Sequence, residues 1–316
     1  MKYFDLHCDT ITDCYTDNKA LYDSDLHISL VRGKKYSPWF QCFAVWIPDE
    51  IRGKSAVNYF DAVTKKLKSE IEVNSDKVIL CKSSKDFEKA QKQNKIGAIL
   101  TVEGSAALGG DIANLKYMAD CGVRMITLTW NSSCEIGDGV CVKSPKGLTS
   151  FGKNAVAEME KLGIVIDVSH ASDILFNDVV NYTTKPFIAS HSNSRTICNH
   201  NRNITDEQFN IINKRGGLVG ITFAPEFLNN NSDRANIDDI IKHIEYFLSL
   251  GGEKCLALGS DFDGASLPNG IKGIESVEDI AEHMLRRNYS ETLVKSILFD
   301  NRSEERRVGK ECRSRW

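Results

Sequence analysis

Short apolar runs alternate with amphipathic stretches along the first 300 residues. Eight runs have the length of buried strands, at 3–6, 39–46, 97–103, 124–129, 163–168, 186–190, 217–222 and 254–260. Five stretches between them have helical period, at 58–71, 111–122, 151–163, 206–217 and 238–252, and four of these end in glycine, where a left-handed helix cap falls. Strands that alternate with helices predict a parallel sheet with covered faces. Eight strands within roughly 260 residues predict an α/β fold of the (β/α)8 TIM-like barrel type.

The same pattern predicts one domain over residues 1–301, because no Pro/Gly/Ser-rich linker divides it. Residues 302–316 differ in character, with six basic and three acidic side chains and no apolar face of helical period. We expect this tail to be disordered or foreign to the domain. Two stretches without clear periodicity, 14–38 and 130–150, are predicted to be long loops over a site.

Five side chains of the metal-ligand type lie where four of these apolar runs end. They are His7, Asp9, Glu103, His170 and His191. Each is weak evidence alone, since an HxD pair arises by chance and a lone Glu or His can be a structural ion-pair member or a core residue. In a barrel, however, the carboxyl ends of the strands meet at one face. Three imidazoles and two carboxylates there suffice for two divalent ions that share one bridging carboxylate.

The spacing of His7 and Asp9 supports this interpretation. In extended backbone, residues two apart point to the same side, so both can reach one ion while Cys8 faces the barrel wall. The remaining histidines do not close an apolar run. They are His27, His200, His243 and His283, of which the last two lie on helical stretches and are expected at the surface.

Zinc suits a set of imidazole and carboxylate ligands, although manganese or iron could occupy the same site. Two ions ~3.5–4 Å apart can share a hydroxide, lower its pKa toward ~7 and polarise a scissile carbonyl. Asp261 ends the run CLALGS and is the remaining acidic strand end, so we assign it as the proton shuttle to the leaving amine. Asp263 competes for this role but lies further on, in a predicted turn.

Composition narrows the class of protein. The chain is 41% hydrophobic and 26% charged with a net charge of −3, which is ordinary for a soluble globular protein and favours neither a nucleic-acid nor a membrane partner. No charged segment followed by an apolar core opens the chain, and no run approaches the ~18 apolar residues of a membrane span, so a cytoplasmic protein is expected. The ten cysteines include no CxxC pair, which favours buried free thiols.

Several longer motifs together resemble one family. FDLHCDT, TVEG, TLTWN, GLTSFGKNAVAEMEKLGIVIDVSH, PFIASHSNSR, NRNITDEQ and LGSDFDG occur in order over nearly the whole chain. This set is similar to the renal (membrane) dipeptidase family of binuclear zinc peptidases, relatives of the amidohydrolase superfamily. The resemblance implies a metallo-dependent hydrolase barrel that cleaves the peptide bond of dipeptides. A homodimer is expected from the family alone.

The resemblance also implies individual roles. Glu103 would bridge two zinc ions, with His7 and Asp9 on one ion and His170 and His191 on the other. A further set of residues is assigned to substrate binding: Arg202, which matches the family arginine for the terminal carboxylate, Trp130 and Asn131. Trp130 is a departure, since animal members have a substrate-polarising histidine there. The sequence therefore does not identify the group that stabilises the oxyanion, and the second zinc ion could provide more of this stabilisation.

The leading hypothesis is a zinc-dependent dipeptidase with a metal-bridging hydroxide as nucleophile. One alternative is a binuclear metal amidohydrolase that acts on another amide or a cyclic amide. Another is a catalytically silent binding protein of the same fold, which the intact ligand set together with Asp261 disfavours. The sequence does not indicate which dipeptide side chains are preferred.

Overall fold

The computed structural model describes residues 1–301, and the predicted tail at 302–316 lies outside them. Eight strands occur within this range: β1 (Tyr3–Asp5), β2 (Trp39–Trp46), β3 (Val78–Leu80), β4 (Ile96–Glu103), β5 (Val123–Thr127), β6 (Val165–Asp167), β7 (Val219–Ile221) and β8 (Leu256–Leu258). All of their pairings are parallel, in the order β6-β5-β4-β2-β1-β8-β7. This curled parallel sheet confirms the predicted TIM-like barrel.

The predicted strand at 186–190 is not a regular strand, but its backbone occupies the expected place. Ile188 bridges Asp167 at the end of β6, and Ala189 bridges Val219 at the start of β7, so this segment joins the two open edges of the sheet. Strand β3 was not predicted. It pairs with residues 96–98 of β4, and β5 takes over along the same edge from Leu100.

Helices cover the outside of the barrel. They are α1 (Thr10–Thr16), α2 (Leu30–Gly33), α3 (Lys54–Val73), α4 (Ser84–Lys92), α5 (Ala113–Cys121), α6 (Ser150–Leu162), α7 (Asp173–Tyr182), α8 (Asp206–Lys214), α9 (Pro225–Leu228), α10 (Ile237–Ser249), α11 (Val277–Arg286) and α12 (Glu291–Lys295). The five predicted helices correspond to α3, α5, α6, α8 and α10. Helices α5 and α6 end at Gly122 and Gly163, both in the left-handed conformation that glycine adopts without strain.

The hydrophobic core has two parts. The larger fills the space between the strands and the surrounding helices. The smaller draws on residues from around the barrel, including Phe4, Phe40, Ile99, Met125 and Ala257, and therefore lies inside it. None of the nine cysteines that the structure describes forms a disulfide, and six of them are buried.

The two predicted loops differ in outcome. Residues 130–150 carry no helix before α6 starts, as expected. The 14–38 stretch instead contains the end of α1 and the short helix α2. Among residues 1–301, no helix combines the length and the apolar character that a membrane-spanning segment needs.

Candidate active site

All five predicted ligands lie together at the carboxyl ends of the strands, and none is more than 8% exposed. His7 and Asp9 follow β1, and the His7 Nε2 lies 3.4 Å from the Asp9 Oδ2. The intervening Cys8 points the other way, since its thiol donates to the carbonyl of Cys42 on β2 at 3.3 Å. This is the arrangement that the two-residue spacing predicts.

Glu103, the last residue of β4, lies at the centre of the cluster. Its two carboxylate oxygens face different histidines: Oε2 is 3.5 Å from the Nε2 of His7, whereas Oε1 is 2.8 Å from the Nε2 of His170 and 3.3 Å from that of His191. A carboxylate whose two oxygens are divided in this way is suited to bridge two cations.

His170 and His191 present their Nε2 atoms to the same space, 3.0 Å apart. Their Nδ1 atoms are engaged elsewhere, that of His170 with Asn131 Oδ1 and that of His191 with Ser190 Oγ, both at 2.8 Å. Burial lowers the pKa of His170 to about 4 and that of His191 well below its usual value. Both rings are therefore neutral, which is the form that binds metals.

Added positive charge would stabilise the buried carboxylates of this cluster. Burial, together with the charge of Glu103, raises the pKa of Asp9 to about 8. Burial alone would lower the pKa of His7, yet the carboxylates of Glu103 and Asp9 raise it well above its usual value. A buried cluster of several carboxylates is costly unless cations compensate it.

Orphaned polar atoms point to the same need. Within the described residues, both ring nitrogens of His7 and the Oδ1 of Asp9 are buried without a hydrogen-bond partner. Three overlapping groups of side chains offer converging ligand atoms: His7, Asp9 and Glu103; Glu103, His170 and His191; and His7, His191 and Asp261. The donor set of imidazole nitrogens and carboxylate oxygens fits divalent transition metals.

Asp261 faces this cluster and Asp263 does not. The Asp261 Oδ1 is 3.7 Å from the Nε2 of His7, and burial raises the pKa of this carboxyl to about 6. The Asp263 carboxylate instead accepts hydrogen bonds from the Thr10 hydroxyl at 2.5 Å and the His27 backbone N–H at 2.6 Å. Asp263 therefore anchors the loop before α2.

The backbone at these positions is unusual. His170 and Asp261 have φ of 65° and 64°, the left-handed region that non-glycine residues seldom adopt and that recurs at functional sites. Gly264 packs against the acidic side of the cluster, where an added Cβ would lie 2.1 Å from Asp9 Oδ2 and 2.6 Å from Asp261 Oδ1. The glycine of the SDFDG motif thus makes room for two carboxylates.

Arg202 is 5% exposed and borders the cluster. Its Nη2 donates to the backbone carbonyl of His191 at 3.3 Å, and its guanidinium lies 5.2 Å from the centre of the Phe227 ring. Its Nε has no partner within the described residues. The charged fork therefore retains capacity to bind an anion.

Two tryptophans form one wall beside the ligands. The Trp130 ring centre lies 6.1 Å from that of His170 and 5.1 Å from that of Trp46. Trp46 ends β2 and pairs in register with Glu103. It was not predicted as a site residue, although it is the last residue of the predicted run at 39–46. Asn131 contacts the His170 ring, so its part in substrate binding stays a prediction.

A parallel barrel with buried imidazoles and carboxylates at the carboxyl ends of its strands defines a metal-dependent hydrolase. The model of one family, membrane dipeptidase (peptidase family M19), matches residues 1–311. The chain belongs to this family, and it is a peptide hydrolase with a metal cofactor.

Individual relatives agree with this membership. The chain is 30% identical over 244 residues to an uncharacterized protein in the pqqA 5′ region of Klebsiella pneumoniae, covering 74% of this chain and 90% of that protein. It is 34% identical over 200 residues to the dipeptidase aclJ of Aspergillus oryzae, covering 62% of this chain and 47% of that protein.

Solved structures share the fold. A metallopeptidase described as dipeptidase AC of family M19 superposes with a TM-score of 0.91 at 25% identity, covering 98% of this chain and 99% of that one. A Rhodobacter sphaeroides metallopeptidase, solved with a phosphinate mimic of the dipeptide L-Ala-D-Ala, has a TM-score of 0.88 at 24% identity, covering 95% and 97% of the two chains.

Proposed function

We propose that this protein is a zinc-dependent dipeptidase that uses two zinc ions to hydrolyse the peptide bond of dipeptides. The observation that carries the proposal is the position of Glu103, whose two oxygens face two separate sets of histidines. The similarity to a dipeptidase of Aspergillus oryzae supports the substrate class.

The residues divide into two ligand sets. His7 and Asp9 with one oxygen of Glu103 would hold one ion, and His170 and His191 with its other oxygen would hold the second. Two divalent ions held by these residues would supply the chemistry that the side chains lack, namely activation of water as the nucleophile and polarisation of the scissile carbonyl. Burial of every ligand keeps bulk water from competing for these positions.

Asp261 is placed to move protons. Its Oδ1 is 3.7 Å from the Nε2 of His7 and converges with His7 and His191 on the space that the proposed ligands face. In this proposal it accepts a proton from the attacking water and delivers it to the nitrogen of the leaving amine. A carboxylate that borders the position of the nucleophile can take a proton and return it to the leaving group.

Arg202 and the two tryptophans serve the substrate. The buried guanidinium has an unpaired Nε and is suited to bind the terminal carboxylate of a dipeptide. Trp130 and Trp46 give the site an aromatic wall against which the substrate packs and from which water is excluded.

The test compares dipeptides with both termini free against the same dipeptides amidated at the carboxyl end, using zinc-loaded protein. A dipeptidase should cleave the free acids far faster, because only they can pair with Arg202. Equal cleavage of acids and amides would favour an amidohydrolase of broader scope. Zinc-loaded protein that cleaves no member of a broad dipeptide panel would refute the proposal.

A further inference from the structure

The buried carboxylate of Asp167 lies near the histidine ligands and takes no part in the proposed catalysis. Asp167 ends β6, is 0% exposed and accepts four hydrogen bonds. Its Oδ1 accepts from the backbone N–H groups of Ser169 and Ser190 at 3.0 and 2.9 Å. Its Oδ2 accepts from the hydroxyls of Thr127 and Ser190 at 2.6 and 2.5 Å. Both oxygens of Asp167 therefore act as hydrogen-bond acceptors.

This arrangement fixes the direction of the next hydrogen bond. A serine hydroxyl carries one proton, and that of Ser190 is committed to Asp167. Ser190 Oγ is also 2.8 Å from the Nδ1 of His191, so in this contact the oxygen must accept and the ring must donate. The proton of the neutral His191 ring is therefore on Nδ1, and Nε2 keeps its lone pair. Nε2 is the atom that faces Glu103 and His170.

We propose that Asp167 is a positioning residue of the metal site, which acts through Ser190 to hold His191 in the tautomer that can bind an ion. The inference rests on the proposed metal-dependent function. It adds a residue that touches neither the ions nor the substrate, yet determines whether one ligand is available.

Asp5 supplies an internal comparison. It ends β1, is also 0% exposed, and accepts four hydrogen bonds in the same pattern, from the backbone N–H groups of His7 and Ser260 and the hydroxyls of Tyr3 and Ser260. The two carboxylates differ in what their serine partners, Ser190 and Ser260, contact next. Ser260 Oγ accepts from the backbone N–H of Phe262 and lies within donating distance of the backbone carbonyl of His7, both at 3.2 Å, and neither backbone group has an alternative tautomer.

The experiment compares Asp167→Asn with Asp5→Asn. In Asp167→Asn, the amide NH₂ takes the place of Oδ2 and donates to the hydroxyls of Thr127 and Ser190. The Ser190 hydroxyl then turns its proton to the nearer of its other two side-chain neighbours, the Nδ1 of His191 at 2.8 Å and not the Ser169 hydroxyl at 3.3 Å. This moves the ring proton to Nε2, where it opposes metal binding. Asp5→Asn makes the same change of shape and charge in the same kind of environment without this consequence.

Zinc content of the purified full-length proteins, and the rate at which a chelator removes each ion, are the measurements. Asp167→Asn should hold one of its two ions about 10- to 100-fold more weakly than wild type, a range typical of lost ligand-supporting contacts, whereas Asp5→Asn should differ little. Ser190→Ala removes the acceptor without reversing the tautomer and should weaken the same ion by a smaller factor. Thermal unfolding of each variant checks that it is folded.

The inference fails if folded Asp167→Asn releases both ions at the wild-type rate, or if Asp5→Asn loses the same ion to the same extent. If Asp167→Asn does not fold, wild-type zinc binding by Ser190→Ala overturns the inference. These outcomes are independent of the proposed reaction. Failure of zinc-loaded wild type to cleave dipeptides would refute the dipeptidase, while the zinc comparison would still decide the role of Asp167.

Discussion

Asp261 and Asp263 are two residues apart, yet their carboxylates face different parts of the molecule. The sequence favoured Asp261, because Asp263 lies past the end of the predicted strand. In the structure both residues have a left-handed φ, and the Asp263 carboxylate turns away from the cluster toward Thr10 and His27. The structure thus favours the assignment of Asp261 as the shuttle on geometric grounds.

Replacing Asp261 with Asn tests this assignment. The amide keeps the shape of the side chain but cannot accept a proton from water, so kcat should fall by about 10²–10⁴, the usual contribution of general acid–base catalysis. Both metal ions and KM should stay near the wild-type values. Steady-state kinetics together with metal analysis would detect each change.

Asp263→Asn is the matched control and should reduce kcat much less, although it weakens the anchoring of the His27 loop. Loss of an ion from Asp261→Asn would make Asp261 a ligand. A larger kcat defect in the Asp263 variant would move the shuttle by two residues.

Arg202 tests substrate recognition. A charge-assisted hydrogen bond is worth ~1.5–3 kcal/mol, so Arg202→Met should raise KM for dipeptides by about ten- to a hundredfold and leave kcat less affected. Arg195→Met is the control, since Arg195 lies on the same loop but pairs with Asp173 at 2.8 Å. A dipeptide KM that Arg202→Met leaves unchanged would contradict the assignment.

At the scale of elements, α10 shows what periodicity reveals and what it misses. The amphipathic pattern correctly predicts this helix, but the expectation that His243 lies at the surface is wrong, because His243 is 0% exposed. It lies three residues after Ile240 and four before Phe247, on the apolar face. Its Nδ1 accepts from the Ser194 N–H and its Nε2 donates to the Leu228 carbonyl, both at 3.0 Å.

The buried His243 predicts a pH dependence of stability. Burial lowers its pKa to about 4 in the folded protein, whereas an unfolded histidine titrates near ~6.5. Between these values the unfolded state binds more protons, so the contribution is complete above pH ~6.5 and is lost as the pH falls toward 4. The whole effect amounts to about 3 kcal/mol.

Urea unfolding at several pH values would measure this contribution of His243 to the free energy of unfolding. The free energy of unfolding of His243→Asn should fall less steeply than that of wild type between pH 6.5 and 4. Parallel pH profiles for wild type and His243→Asn would show that His243 does not titrate in this way.

Two other elements could not be predicted correctly from the sequence pattern, for physical reasons. Strand β3 has only three residues, and it forms because the first residues of β4 offer a free edge, which is a tertiary effect. The 186–190 segment has the composition of a strand, but it meets β6 and β7 through single bridges only, Asp167 to Ile188 and Ala189 to Val219. Both cases depend on neighbours that are distant along the chain.

At the scale of the whole molecule, the barrel explains why the positions of the five candidate ligands could be predicted from the sequence. Strand ends in a parallel barrel converge on one face, so a ligand-type residue after an apolar run has few other places to lie. The supporting contacts were not predictable in this way. Asp167 and Ser190 are separated by 23 positions, and their bond depends on the register of the segment that closes the barrel.

The central claim is that one carboxylate, Glu103, joins two ions into a single catalytic centre. Metal analysis of wild type and Glu103→Gln, combined with dipeptide hydrolysis, tests it most directly, with Glu282→Gln on the exposed face of α11 as the control. Wild type and the control should contain about two zinc ions per chain and be active, whereas Glu103→Gln should lose both ions and its activity, because an amide cannot bridge two cations. Full activity in metal-free wild type, or two tightly held ions in Glu103→Gln, would contradict the account.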